Sequence, residues 1–115
     1  MPADPERLAG QLTLLRSKDA EERIDAAEQL AGWWRHLDHD QVAAVARGLA
    51  AAVAEEPDSA ATEAELHALV ELANARWYTR DDLVVLAGRS RTSLSVDDQE
   101  YAEILEETFG PLFGS

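Results

Sequence analysis

From Asp38 to Val53 the chain places apolar residues at Val42, Val45, Ala46, Leu49, Ala52 and Val53. This i, i+3, i+4, i+7 progression gathers one side of the segment into a continuous stripe only if the backbone is helical. The segment opens on Asp38 with Gln41 three residues later, a capping box in which each side chain satisfies an orphan backbone donor of the new helix. The rest of the chain reads the same way. Pro5 suits an opening turn, and Leu8, Leu12 and Leu15 continue a first helix to Arg16. Asp19 with Glu22 opens a second, carrying Ile24, Ala27, Leu30, Ala31 and Trp34 to about Arg35. Pro57-Asp58-Ser59 stops the third and caps a fourth, in which Leu66, Leu69, Val70 and Ala73 lead as far as Trp77.

Thr79 with Asp82 opens a short fifth helix through Leu83, Val84, Val85, Leu86 and Ala87, with Gly88 as a left-handed C-cap. Four consecutive apolar residues also suit a buried strand, but a lone strand finds no partner in this sequence, so helix is preferred. After a polar loop from Arg89 to Ser95, a sixth helix starts at Ser95 with Asp98 as its box partner. It carries Tyr101, Ile104, Leu105 and Thr108 on one side and ends at Gly110-Pro111. The expectation is an all-α chain of about six helices, folded as a single domain over residues 1–115.

Composition narrows the function. There is no cysteine, which removes disulfides, thiolate nucleophiles and Cys-based metal sites together and fits a reducing compartment. Met1 to Arg16 contains Asp4, Glu6 and Arg7 and lacks the basic start and apolar run of a signal peptide. No stretch approaches the roughly 18 apolar residues of a membrane span. A cytoplasmic location and no membrane partner are therefore expected. The 23 acidic against 10 basic residues give a formal net charge of −13. The bases, nine Arg and Lys18, are dispersed singly from Arg7 to Arg91 instead of forming the stripe that phosphate backbones require. Direct nucleic-acid binding is not expected, and a basic protein is the natural complement, although high charge also serves solubility alone.

Six short helices joined by tight turns invite a search for repeats. Shifting the chain by 39 residues places Asp19 over Asp58, Ala27 over Leu66, Leu30 over Leu69 and Trp33 over Leu72. Asp19-Ala-Glu-Glu-Arg23-Ile-Asp-Ala-Ala-Glu-Gln-Leu30 resembles the HEAT pattern of an Asp turn, an Arg, paired alanines and a Leu, with Arg23 and Ala26-Ala27 carrying the likeness. The fourth helix departs from it, holding Thr62 where the Arg would stand, and about a third of the chain matches well. The resemblance implies antiparallel helix pairs in an α-solenoid; an irregular six-helix bundle accounts equally for the amphipathic pattern. By resemblance such solenoids offer surfaces to protein partners and carry no chemistry of their own. In size, charge and architecture the chain is also similar to the immunity proteins of bacterial toxin systems, which cover the active-site surface of basic nuclease toxins. That likeness transfers no functional residues.

Residues with chemical potential are few. His36 and His39 flank Asp38 and Asp40, acceptable ligand types for a transition metal, but the segment is also a polar turn in which Asp38 caps a helix. His67 has no partner at a recognisable spacing. The carboxylate pairs Glu55-Glu56, Asp81-Asp82, Asp97-Asp98 and Glu106-Glu107 fall where solvated helix ends and faces carry charge. No Gly-rich phosphate loop or nucleophile elbow is present. No catalytic residue, metal or cofactor is expected. Asp97, Asp98, Glu100, Glu103, Glu106 and Glu107 all follow the last base, Arg91, and form the candidate docking face for an Arg/Lys-rich partner. Trp33 is the candidate aromatic anchor, because Trp34 occupies the core stripe beside it. Trp77 and Tyr78 are expected to pack the following turn, with a polar handle reaching solvent. The second functional reading is a structural adaptor or scaffold that self-associates through its Ala-rich and Trp-bearing surface.

Overall fold

The computed structural model describes residues 4–114. It is all-α: α1 (Pro5–Leu14), α2 (Ala20–Trp33), α3 (His39–Glu55), α4 (Ser59–Leu72) and α5 (Val96–Phe109), joined by 3₁₀ segments at Trp34–His36, Ala73–Ala75, Arg80–Gly88 and Arg91–Ser93. No strand forms among the described residues; the one β-type contact is an isolated bridge between Ser90 and Gly114.

The helix starts follow from capping chemistry. Asp38 accepts the Gln41 N–H at 2.8 Å while the Gln41 side chain accepts the Asp38 N–H at 3.0 Å, completing the expected box. Asp58 accepts the Ala61 N–H at 2.8 Å, and Asp19 accepts that of Glu21 at 3.0 Å. Glu22 does not complete a box with Asp19; it accepts the Ser17 hydroxyl instead. At α5, Ser95 accepts the Asp98 N–H at 3.1 Å, but the Asp98 carboxylate does not return the bond.

Three expected boundaries are corrected. The fourth helix ends at Leu72, not Trp77, because the chain tightens into a 3₁₀ turn and Arg76 then takes a left-handed conformation at φ 58°. The fifth helix is 3₁₀ throughout. With three residues per turn, Leu83 and Leu86 stack on the buried side, leaving Val84 and Val85 exposed. Gly88 is not left-handed; Gly110, at φ 84°, is the described glycine that is, and it terminates α5 as the sequence suggests.

Two rows of helices result. α4 lies between α2 and α5, while α3 packs on α4 and on Arg80–Gly88. α1 contacts α2 and reaches α3 at Gly48, where an added Cβ would lie 3.0 Å from Leu12 Cδ2. The shortest Cα extent, 19 Å of 39 × 30 × 19 Å, matches two helix layers spaced roughly 8–10 Å apart. Between the rows lie Leu30, Val42, Val45, Leu49, Leu66, Leu69, Leu83, Leu86 and Leu105, all fully buried. The 112–114 tail folds back: Leu112 is buried, and Gly114 exchanges backbone hydrogen bonds with Arg89 and Arg91 at 2.9 Å each.

Candidate protein-binding face

At about 100° per residue, Asp97, Glu100, Glu103 and Glu107 share an arc of roughly 120° on α5 with Val96 and Ile104. All six side chains are exposed, Val96 at 79% and Ile104 at 45%. None of the four carboxylates takes part in an ion pair among the described residues. The result is an acidic stripe with two exposed apolar side chains set into it.

Two residues expected on this face are elsewhere. Asp98 is 2% exposed and faces the interior, because α5 turns Asp98, Ala102 and Leu105 toward the core. Glu106 is half-buried, ion-paired with Arg91, and its Oε2 accepts the Leu112 N–H at 2.8 Å, so it fixes the tail. The partner is distant in sequence: Arg91 stands fifteen residues before this carboxylate.

Trp33 is not an open anchor. It is half-buried against the core, and the Arg7 guanidinium covers its ring at 5.3 Å. Trp34 is also half-buried, with Arg35 over it at 5.2 Å. The exposed indole is Trp77, at 41%, with the His39 ring tilted against it at 35° and 5.5 Å between centroids. Tyr78 is buried, and its hydroxyl donates to the Leu69 carbonyl at 2.6 Å instead of reaching solvent. His36 and His39 are both exposed on the turn into α3, and no group of three His, Cys, Asp or Glu residues gathers into a metal-binding arrangement among the described residues.

Behind α5 lies a polar core that sequence reading missed. Arg23 of α2 donates to both oxygens of Glu56, from Nε at 2.7 Å and Nη2 at 2.8 Å, and to the Ser17 carbonyl at 2.8 Å. Burial raises the Glu56 carboxyl, but the Arg23 bonds, Glu65 and the Asp58 N–H together outweigh it and hold the group below its ordinary value. Arg89 donates to the Val53 carbonyl at 2.9 Å and to the Glu56 carbonyl and the Thr62 hydroxyl at 3.1 Å each. Arg89 thus brings a guanidinium from a later segment of the chain to the Thr62 side chain. Glu65 is fully buried, with neither oxygen hydrogen-bonded in good geometry. Burial first, then the adjoining Glu56, push its carboxyl up to about 9, so it stands protonated at neutral pH. Buried Asp98 is raised in the same sense, again chiefly by burial. The signal was present as Glu65 and Asp98 on the core-facing sides of their helices, yet acidic residues are common enough here to hide it.

No helix among the described residues is long and apolar enough to cross a membrane. No protein-family model, curated protein or solved structure matches the chain.

Proposed function

We propose that this chain is an acidic, HEAT-like protein-binding module, and specifically an immunity-type inhibitor that blocks a basic, nuclease-type toxin by occlusion. The observation that carries the reading is the α5 stripe: four exposed carboxylates without an ion-pair partner among the described residues, flanking exposed Val96 and Ile104. A field of one sign on a compact face raises association rates with an oppositely charged partner, and the embedded apolar groups supply contacts that survive salt. The helix rows α2–α4–α5 and α1–α3–Arg80–Gly88 support the HEAT-like part.

Affinity capture on the tagged chain at low salt, with elution by a salt gradient, tests this. The expected product is a basic protein released at high salt, whose nucleic-acid cleavage is stopped by an equimolar amount of the chain. Reversing Glu100, Glu103 and Glu107 to Lys abolishes both retention and inhibition. Retention that ignores these reversals overturns the reading.

A second reading, a self-associating adaptor, has one observation in its favour: Trp77, Val84 and Val85 are exposed on or beside the 3₁₀ stretch packed on α3. It requires a dimer by light scattering that persists in high salt and dissociates on Trp77→Ala.

A further inference from the structure

Where α5 meets α2 and α4, the surface sinks into a groove of about 550 Å³. Its lining alternates small apolar and acidic residues. Ala31, Ala60 and Ala64 keep it open, the Tyr101 and His67 rings stand 5.8 Å apart at 59°, and the exposed Glu28 and Glu63 contribute carboxylates. The electrostatic surroundings are negative: besides burial, Glu63, Asp98, Asp97 and Glu100 all raise the Tyr101 phenol. No arginine or lysine lines this groove, whereas Arg16, Lys18 and Arg23 line the separate groove between α1 and α3. Arg91 lines a third hollow, at the other side of α5 beside Gln99 and Glu106, so among these three hollows of the described residues the α2–α4–α5 groove alone has no arginine or lysine in its lining.

We infer that the α2–α4–α5 groove seats an arginine side chain of the basic protein partner, its guanidinium against the Tyr101 ring and between Glu28 and Glu63. The inference rests on the docking reading above and names the contact that would give it specificity. Arginine fits better than lysine because its planar fork can address two carboxylates while stacking on an aromatic face, and it sheds water more readily than an ammonium. The alanines leave room for the aliphatic stem, which has apolar surface of its own to cover. Arginine already behaves this way within the chain: Arg7 and Arg35 lie over indole rings, and Arg23 bridges both oxygens of one carboxylate. Tyr101 flanks the exposed α5 stripe, so a partner lying along Asp97, Glu100 and Ile104 has the groove directly beside it.

The test uses the whole chain and a hexa-arginine peptide as probe, with hexa-lysine alongside, followed by fluorescence anisotropy and amide chemical shifts at low salt. Expected are tighter binding of hexa-arginine than of hexa-lysine and the largest shifts at Ala31, Ala64 and Tyr101. The Glu28→Gln/Glu63→Gln pair should weaken the arginine peptide about fivefold, in line with two partly exposed charge contacts. Glu103→Gln/Glu107→Gln, on the outer stripe, should weaken both peptides alike without narrowing the difference between them. Shifts confined to α5's outer stripe, with the Glu28/Glu63 pair silent, overturn the groove while leaving the acidic docking face standing. Equal binding of the two peptides, or no binding of hexa-arginine, also overturns it, whatever the capture experiment returns.

Discussion

Arg23 and Glu56, thirty-three residues apart, are joined by two parallel hydrogen bonds of 2.7 and 2.8 Å, with the carboxylate side chain only 1% exposed. The pair ties α2 to the turn between α3 and α4, and Glu56 also accepts the Asp58 N–H that begins α4. Removing one partner of such a pair leaves the other charge buried, which costs about 3–5 kcal/mol. Arg23→Ala is therefore expected to destabilise the fold by about 3 kcal/mol at neutral pH. Urea denaturation measures it, and a loss below about 1 kcal/mol would show that water reaches Glu56 easily.

Glu65 makes stability depend on pH in an unusual direction. Its carboxyl titrates near 4.5 when free and at about 9 in the folded chain. Between those values the folded state holds a proton that the unfolded state has released. This contribution is complete below about pH 4.5 and fades as pH rises toward 9, by up to about 1.4 kcal/mol per pH unit. Asp98 is raised too and acts in the same direction. Glu65→Gln retains the shape and a donor for Glu56 but has nothing to titrate. The expected result is a urea midpoint that falls from pH 6 to pH 8.5 in the natural chain and falls less steeply in the variant, where Asp98 alone of the two still titrates. Parallel profiles would mean that Glu65 is solvated.

Glu103 and Glu106, one helical turn apart on α5, are expected to respond oppositely to neutralisation. Glu103 is exposed and makes no ion pair, whereas Glu106 pairs with Arg91 and accepts the Leu112 N–H at 2.8 Å. Glu106→Gln should loosen the 112–114 tail and cost about 1–2 kcal/mol of stability, the scale of a partly buried charged hydrogen bond. Glu103→Gln should leave stability within about 0.5 kcal/mol, as exposed substitutions do. Thermal melts of the two variants separate these roles, and equal melting temperatures would contradict them.

The elements that sequence reading located well are those whose chemistry is local. Asp38 with Gln41, Asp58 and Ser95 each satisfy a backbone donor two or three residues on, and the Val42–Val53 stripe needs only the helical period to find its face. What escaped depends on distant neighbours. Arg89 reaches Val53 and Thr62, and Arg91 reaches Glu106, through the packing of one row on the other. The exposures of Trp33 and Trp77 differ from expectation for the same reason: Arg7 of α1 folds over the first, while α4 ends early at Leu72 and the second is exposed. Asp98 departs from the patch that a run of acidic residues suggests, because neighbours on a helix stand about 100° apart. Of the six acidic residues proposed for docking, the four that share the outer stripe are Asp97, Glu100, Glu103 and Glu107.

Gly110 governs how the chain leaves α5. Its φ of 84° with ψ of −176° belongs to a region open essentially to glycine alone, and a Cβ there would stand 3.2 Å from the Arg80 guanidinium. The Arg80 side chain donates to the Phe109 carbonyl at 3.0 Å, joining the end of α5 to the start of the 3₁₀ stretch. The turn also directs Leu112 into the core and lets Glu106 hold the tail. Gly110→Ala carries the conformational cost of about 1–3 kcal/mol and crowds Arg80 as well. The expected outcome is a lower melting temperature together with faster hydrogen exchange at the Leu112 and Gly114 amides, while the Val42–Val53 amides of α3 keep their protection until global unfolding. An alanine variant with unchanged exchange at Gly114 would show that the backbone reaches the same path without a left-handed residue.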